Sequence, residues 1–318
     1  MPPDLLADAR GLVALAALLL LPGLLVVRAP WTAVPFLSAG FWVLTWFWLP
    51  SVGRERFLAS ALLTFLLLAL LRLLPPWRAR WPRWPTVLVV TVAAARLLPF
   101  FVWPTAPGAQ ASFQAVSTLL MVWRDGLPAS YEPLFPLRAF SAYPHGAHGL
   151  AADVTLLAGL AAHRAAWLVR LAAEGLLHVA LYGLLARRLD TRAAALGAVL
   201  AVALARVPTA LAVCGEPFVL ALAFGLAAAG LLTGHREWPS AVAGGFLLAA
   251  ATSCHPLAAA ITLAALVVTA RRGTSGRGAR PALALAVAFG ASAPFLWRFR
   301  PAVPALEGER LASSLGIA

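Results

Sequence analysis

Apolar residues run through this chain in long blocks that are separated by short polar stretches. Most blocks come close to the roughly 20 residues that a helix needs to cross a bilayer core. Ten of them predict membrane-spanning helices, near 11–27, 31–50, 57–74, 85–103, 165–187, 193–212, 217–233, 239–254, 256–270 and 281–297. A further apolar block at 149–162 is short for a full crossing, so it is either one more span or a juxtamembrane or re-entrant helix.

The longest polar interruption covers 104–148. Within it, apolar residues recur at steps of three and four, at Phe113, Val116, Leu120 and Trp123. This period predicts an amphipathic helix over about 111–124 that lies in the plane of the membrane interface.

Together these blocks predict an all-α fold, a polytopic membrane bundle of about 10–11 transmembrane segments. We divide it into an N-terminal membrane segment of three spans (1–84), a membrane core (85–297) with a long extracytoplasmic loop (104–164), and a short extracytoplasmic tail (298–318).

Composition supports this reading. Hydrophobic residues make up 62% of the 318 residues and charged residues only 12%, and the mean hydropathy is +0.85. Soluble domains carry about 25% charged residues, so these values exclude a soluble globular enzyme, a disordered chain and a coiled coil. The net charge of +13 comes from arginines in short clusters between apolar blocks. Such clusters indicate contact with anionic lipid headgroups, and we expect no nucleic acid partner.

Arginine counting predicts the orientation. The loops richest in arginine are 75–84, 186–192 and 271–280, and the positive-inside rule puts them in the cytoplasm. The chain N-terminus and the loop 104–148 then lie outside, together with turns expected at 214–217 and 253–256. Polar residues therefore gather on the extracytoplasmic face.

Two groups of polar residues are candidates for a functional site. The loop carries Tyr131, Glu132 and then Tyr143, His145 and His148, among prolines and glycines that favour a folded loop. These residues supply a carboxylate, imidazoles and hydroxyls at the bilayer surface. The alternative is an interfacial loop with aromatic anchors. Zinc binding by the two histidines with Asp153 is a further, less favoured reading.

The second group lies inside the predicted span 165–187. Its members recur every four residues and so share one helix face, at Arg170, Glu174, His178 and Tyr182. Charged groups at membrane depth are costly, and they either neutralise each other across a helix interface or form a functional site. In the functional reading, Arg170 binds a lipid phosphate, and Arg96 and Arg206 could serve the same anion.

Several short motifs follow one another along the chain. They are Leu21-Pro22-Gly23, then Tyr143, Pro144, Gly146 and His148, then the stretch 181–189, then Gly215-Glu216-Pro217-Phe218, and finally His255-Pro256. In this order, over about 11–270, they resemble the GT-C class of polytopic membrane glycosyltransferases, particularly its bacterial members of unassigned specificity. That class commonly continues beyond ten spans, so the resemblance is to a truncated or degenerate member.

The resemblance implies transfer of a sugar from a polyprenyl-phosphate donor to a glycan, lipid or protein acceptor, on the extracytoplasmic face of the cell membrane. It implies Glu132 and Asp125 as candidate catalytic acids. The candidate substrate-binding residues are Gln110, Gln114, Tyr143, His145, His148, Arg96, Arg170, Glu174, Glu216 and His255.

The sequence departs from the class where the class carries an acid that binds metal or activates the acceptor. Gln110 stands at that position, and Gln114 stands at a position where the class has histidine. A neutral amide neither takes a proton nor offers an anionic ligand. Either Asp125 or Glu132 replaces the acid, with Mg²⁺ or Mn²⁺ as an expected cation, or the chain is an inactive lipid-linked-glycan binding or partner subunit. A transporter or flippase ranks last, because we see no internal repeat.

Overall fold

The computed structural model describes residues 5–25, 30–50, 52–73, 84–106, 110–132, 134, 140, 143–204, 208–234, 238–271 and 279–298. Within these ranges the chain is helical and contains no strand. The helices are α1 (Leu5–Leu24), α2 (Val34–Trp48), α3 (Arg54–Leu73), α4 (Trp84–Ala95), α5 (Leu98–Val102), α6 (Gln110–Arg124), α7 (Gly146–Ala158), α8 (Ala162–Leu185), α9 (Thr191–Leu204), α10 (Pro208–Gly234), α11 (Trp238–Cys254), α12 (Pro256–Arg271) and α13 (Ala279–Arg298), with a 3₁₀ turn at Trp31–Ala33.

Four helical segments in the described ranges are long and apolar enough to cross a membrane: Leu5–Leu24, Trp84–Val102, Ala162–Leu185 and Pro281–Arg298. Shorter apolar helices accompany them. The prediction of an all-α protein with membrane-spanning helices is therefore confirmed at this level. The count of about 10–11 spans stays a prediction.

Two prolines explain where the helices differ from the predicted spans. The span predicted at 85–103 is broken at Arg96 and Leu97, because Pro99 has no N–H to donate to the carbonyl of Ala95. By contrast, α10 continues through Pro217, so the turn predicted at 214–217 was wrong. Proline is tolerated inside membrane helices when neighbouring groups satisfy the backbone, and its presence alone does not end a helix.

The apolar block predicted at 149–162 forms α7, whose 13 residues extend over only about 20 Å. A bilayer core is about 30 Å thick, so α7 is too short to cross it. Gly159 ends the helix with a φ of +65°, a left-handed conformation that suits glycine. This geometry favours the juxtamembrane or re-entrant alternative over a further span.

Helix α8 forms the centre of the bundle. Buried residues make up 67% of its apolar window, against 17–28% in the other three candidate spans. It packs against α4, α6, α7, α9 and α10. Small residues allow these close approaches: a Cβ on Gly175 would come within 2.7 Å of the Ala93 carbonyl oxygen on α4.

Exposed tryptophans lie near two opposite ends of the bundle. One end, here called the loop end, carries the loop that follows α5, and its tryptophans are Trp48, Trp103, Trp123 and Trp297. The other, here called the arginine end, carries Arg187 and Arg192, and its tryptophans are Trp31, Trp84 and Trp238. Tryptophan is enriched at both membrane–water interfaces, so the two groups fit the two surfaces of a bilayer.

Buried ion pairs fasten the helices at the loop end. The Arg54 guanidinium on α3 donates from Nε and Nη2 to the two Asp153 oxygens on α7, both at 2.8 Å. It also donates to Thr45 Oγ1 and the Trp42 carbonyl oxygen on α2. Similarly, Arg164 on α8 binds Asp8 on α1 and the carbonyl oxygens of Phe100 and Trp103.

We expect Asp153→Leu to lower the free energy of unfolding by about 3–5 kcal/mol, because it leaves a buried guanidinium without its counter-charge. Equilibrium unfolding in detergent micelles measures this loss. The control Glu55→Gln changes an exposed neighbour of Arg54 and should alter stability by about 0.5 kcal/mol or less.

The double variant Arg54→Met/Asp153→Leu should regain most of the lost stability, since apolar residues of similar volume often replace a buried ion pair at little cost. A double variant no more stable than Asp153→Leu alone would contradict this account of the pair.

Candidate functional site

Helix α6 turns a polar face inward. Its fully buried residues recur at helical spacing, at Gln114, Ser117, Thr118 and Met121. Of the predicted apolar stripe, Leu120 is buried, Phe113 and Val116 pack against the same cluster, and Trp123 is 61% exposed. The helix packs against both α7 and α8. The predicted amphipathic helix is thus present, but it also brings hydroxyl and amide groups into the protein.

His145 has a defined tautomer. Its Nε2 lies 2.8 Å from the Phe140 carbonyl oxygen and 3.0 Å from the Tyr131 hydroxyl. A carbonyl only accepts, so we assign the ring proton to Nε2 and a free electron pair to Nδ1. Nδ1 is buried and finds no hydrogen-bond partner among the described residues. Burial, with a contribution from His148, holds the pKa of His145 well below its usual value, so the ring is neutral.

His148 is fully buried one turn further along the chain. Its ring meets those of Phe113, Tyr143 and His145. Neither ring nitrogen has a hydrogen-bond partner within the described ranges, and burial lowers the pKa of His148 to about 3. Buried polar groups in native proteins are normally satisfied by protein, water or ligand, so these atoms are candidates to bind a polar group.

We name Tyr131, Tyr143, His145 and His148 the histidine cluster. Tyr131 links it to α6, because its ring packs against that of Phe113 with centroids 5.5 Å apart, and burial raises the pKa of the Tyr131 hydroxyl. The prediction had placed these residues in a loop at the bilayer surface. The structure brings these four side chains together, but the imidazoles of His145 and His148 are buried away from solvent.

The His-Pro turn meets the histidine cluster. A Cβ on Gly146, between the two histidines, would come within 2.8 Å of the Cys254 Sγ, so the start of α7 lies against the end of α11. The Cys254 side chain is buried. His255 follows it, edge-to-face with Phe218, and burial lowers the pKa of the His255 ring. The structure therefore unites two motifs that are more than a hundred residues apart in the sequence.

A second group, the α8 cluster, comprises Arg96, Arg170, Glu174 and His178. The charges of Arg170 and Arg96 both act on Glu174, and that of Arg96 also acts on His178. His178 Nδ1 donates to the Glu174 carbonyl oxygen at 3.0 Å, which fixes the ring against its own helix. Arg96 lies at the break between α4 and α5, close enough to α8 for its charge to act on Glu174 and His178.

The two predicted catalytic acids differ in their surroundings. The Asp125 Oδ1 accepts hydrogen bonds from the backbone N–H groups of Arg54 and Glu55, at 2.6 and 3.2 Å, and so caps the start of α3. Its φ of +46° suits aspartate better than most residues. Glu132 is exposed in the loop, where its N–H donates to Ser130 Oγ. Both acids are exposed, but the Asp125 carboxylate is engaged in capping α3, so Glu132 is the better candidate to meet an acceptor.

The side chains of Gln110, Glu216, Arg206 and Cys214 lie outside the described residues, although Gln110 begins α6 and Glu216 belongs to α10. The zinc reading of His145, His148 and Asp153 was wrong, because Arg54 binds both Asp153 oxygens. In the described ranges, no three His, Cys, Asp or Glu side chains lie close enough to hold a metal ion.

Sequence reasoning missed Ser117 and Thr118. Their signal was present, because Gln114, Ser117, Thr118 and Met121 follow the same three- and four-residue steps as the apolar stripe beside them. A polar stripe next to an apolar one ordinarily faces water. Only the packing of α6 against α7 and α8 shows which stripe lies inside.

In comparisons with protein-family models, curated proteins and solved structures, nothing matches this chain. The GT-C resemblance therefore stays a prediction.

We expect Asp125→Ala to lower the free energy of unfolding by about 1 kcal/mol, because α3 loses the acceptor for its first N–H groups. Asp125→Asn keeps an oxygen acceptor and tolerates the same φ, so it should cost a few tenths of a kcal/mol. Thermal unfolding of both variants in one detergent makes the comparison. If Asp125→Ala and Asp125→Asn lose the same free energy of unfolding, Asp125 acts through its charge and not as a cap.

The buried histidines predict a pH dependence of stability. In the unfolded chain a histidine takes up a proton near pH 6.5, whereas folded His148 resists it down to about pH 3. Between these values the unfolded state binds more protons, so stability falls as the pH falls. Each such histidine contributes a slope of about 1.4 kcal/mol per pH unit.

Chemical denaturation of the wild type and of His148→Gln, measured between pH 7 and 4, tests this. The variant should be less stable at pH 7 and should lose stability less steeply below pH 6. Parallel curves for the two proteins would refute the assignment of a neutral buried His148.

Proposed function

We propose that this protein is a multi-pass protein of the cell membrane, that its loop end is extracytoplasmic, and that it binds a polyprenyl-phosphate sugar there. In this proposal it transfers the sugar to a glycan, lipid or protein acceptor, as a GT-C-like glycosyltransferase does. The exposed tryptophans at both ends support a position across the bilayer, and the positive-inside rule, applied to the arginine-rich stretches of the sequence, supports the orientation.

The observation that carries the proposal is that Arg96 and Arg170 both lie close enough to Glu174, within the helices, for their charges to act on it. Two guanidinium groups and one carboxylate sum to one positive charge at membrane depth, where charge is costly and usually functional. An anion that reaches this depth from the bilayer is the phosphate of a lipid. Arginine binds phosphate through paired, charge-assisted hydrogen bonds, and the same bonds stabilise the charge that develops on a phosphate leaving group.

The polar groups next to the α8 cluster are suited to bind the sugar of such a lipid. Helix α6 packs against both α7 and α8, and its Gln114, Ser117 and Thr118 side chains are buried. In the proposed arrangement these polar groups line the path between the α8 cluster and the histidine cluster. Unpartnered imidazole nitrogens and hydroxyls are suited to the many hydroxyl groups of a sugar. In the proposed arrangement the phosphate binds at Arg170 and the sugar extends toward His148.

In the transfer step, the acceptor hydroxyl oxygen forms a bond to the anomeric carbon while the bond from that carbon to the phosphate oxygen breaks. Glu132 takes the hydroxyl proton, and the phosphate leaves with both bonding electrons beside Arg170 and Arg96. Asp125 is left out of this role because it caps α3. The cation expected from the resemblance, Mg²⁺ or Mn²⁺, stays a prediction.

The second candidate function is that of a partner subunit that binds the same lipid-linked glycan without turning it over. Two observations favour it: Gln110 stands at the position of the family acid, and Asp125 is engaged in capping. In this function the α8 cluster still binds the phosphate of the lipid, but Glu132 has no catalytic role.

The test uses purified protein in nanodiscs with a panel of radiolabelled polyprenyl-phosphate sugars, and it reads donor binding and sugar transfer separately. Arg170→Gln should weaken donor binding about tenfold to hundredfold, because it removes charge-assisted hydrogen bonds to phosphate. The control Arg56→Gln removes an exposed arginine at the same end of the bundle and should bind as the wild type does.

Glu132→Gln then separates the two functions. Transfer that is lost in this variant while binding persists supports the enzyme. Donor binding without transfer in the wild type, from any donor, supports the partner subunit. If neither Arg170→Gln nor Arg56→Gln changes donor binding, both the enzyme and the partner-subunit functions are refuted.

A further inference from the structure

Helix α6 covers one side of the histidine cluster. The ring of Phe113, near the start of the helix, lies 5.1 Å from that of Tyr143 and 6.3 Å from that of His148, measured between ring centroids. Further along the helix, Met121 is buried in the same apolar cluster as Tyr131. Because the imidazoles of the histidine cluster are buried, a ligand reaches their nitrogens only when an element around them moves.

The buried face of α6 carries hydroxyl groups that do not hold it in place. Ser117 Oγ and Thr118 Oγ1 are fully buried, and neither has a hydrogen-bond partner within the described ranges. The same holds for both ring nitrogens of His148. A buried polar group without a partner raises the free energy of the closed arrangement, and hydration removes this cost. The closed position of α6 is therefore less stable than its apolar contacts alone would make it.

The apolar stripe of α6 has a second partner available. In the closed position, Phe113 and Val116 are partly buried against the protein, whereas Trp123 is 61% exposed. An amphipathic helix at the membrane interface buries such a stripe in the surface of the bilayer. Lipid is as apolar a partner as a leucine-rich helix. A shift of α6 toward the interface therefore gives up little hydrophobic burial.

The chain is fastened directly after α6. The Asp125 Oδ1 accepts hydrogen bonds from the N–H groups of Arg54, at 2.6 Å, and Glu55, at 3.2 Å. A Cβ on Gly126 would come within 2.5 Å of the Pro50 carbonyl oxygen, so the backbones of these two stretches are in direct contact. This end of α6 is consequently fixed to the start of α3, and a motion of the helix pivots about it.

A small pivot is enough to open the cluster. Phe113 lies about 18 Å from Asp125 along the helix, and a rotation of about 20° at Asp125 would move Phe113 by about 6 Å. This displacement is about twice the diameter of a water molecule.

We propose that α6 is a lid over the histidine cluster, which pivots at Asp125 and opens at the membrane interface. In the open position the Phe113 ring leaves the histidine cluster, and His148, Ser117 and Thr118 meet water or a polar ligand. The motion itself makes no use of sugar transfer. Only the identity of the ligand that it admits, the sugar of a lipid-linked donor, rests on the proposed function.

Two rates test the lid in the purified full chain, in nanodiscs at pH 7 and without a donor. The first is hydrogen exchange of the α6 amides, compared with that of the α8 amides. The second is modification of His148 by diethyl pyrocarbonate, a reagent for neutral imidazole, with each histidine resolved by mass spectrometry. The exposed His163 is the internal control for the reagent.

Thr118→Val replaces the buried hydroxyl with a methyl group of similar size and so stabilises the closed position. We expect the exchange of α6 amides and the modification of His148 both to fall about tenfold. Modification of His163 and exchange of the α8 amides should stay unchanged.

Ser117→Ala should slow the same two rates, and it decides the matter if Thr118→Val does not fold. Its matched control is Ser112→Ala, which makes the same substitution at an exposed position of the same helix and should leave the His148 rate unchanged. Equal effects of Ser117→Ala and Ser112→Ala would overturn the lid, because helix propensity and not the buried hydroxyl would then be responsible. Modification of His148 that follows the exchange of the α8 amides would also overturn it, because the reagent would then enter by unfolding of the bundle.

A donor separates the lid from the proposed function. A polyprenyl-phosphate sugar that binds the wild type should slow the modification of His148 at least tenfold and leave that of His163 unchanged. A bound donor that leaves the His148 rate unchanged would overturn the admission of the sugar by α6. If no donor of the panel binds, the proposed function fails, whereas the comparison of the hydroxyl variants still decides on the lid.

Discussion

The contacts of Arg54 are the constraint on which the loop end depends. This one residue joins α3 to Asp153 on α7, to Trp42 and Thr45 on α2, and through its backbone N–H to Asp125 after α6. Four helices thus meet at one guanidinium group and one amide. Because α7 carries His148 and the segment after α6 carries Tyr131, the histidine cluster keeps its geometry only while these bonds hold. The buried charge pair is part of the site although neither member needs to touch a ligand.

The hydrophobic pattern predicted most of the helices, because apolar blocks of bilayer length leave few other structures open. It was less reliable at single residues that interrupt such blocks. Pro99 breaks a helix and Pro217 does not, and the difference depends on how neighbouring groups satisfy the backbone, which a local sequence does not show. The length of α7 was ambiguous for a related reason: an apolar helix buried by protein and one buried by lipid have the same composition.

In the candidate site, too, features set by the local sequence were predicted, whereas features set by tertiary packing were not. The four-residue spacing of Arg170, Glu174 and His178 predicted one shared face, since helical periodicity is a local property. The role of Asp125 as the cap of α3 was out of reach, because its partners are some seventy residues earlier in the chain. The histidines were predicted to lie in a folded loop at the bilayer surface, because their segment is rich in proline and glycine. Their burial results from tertiary packing of α6, α7 and the end of α11.

The polar residues of α8 also bear on how the protein is made. A helix that carries Arg164, Arg170 and Glu174 would enter a bilayer poorly by itself, since each charge near the centre of a lone helix costs about 2.5–3.5 kcal/mol on insertion scales. Its counterparts, Asp8 on α1 and Arg96 after α4, precede it in the chain and so leave the ribosome first. In the growing chain, α8 therefore reaches the membrane when its partners are already there. These partners lower the free-energy cost of inserting the charged side chains of α8.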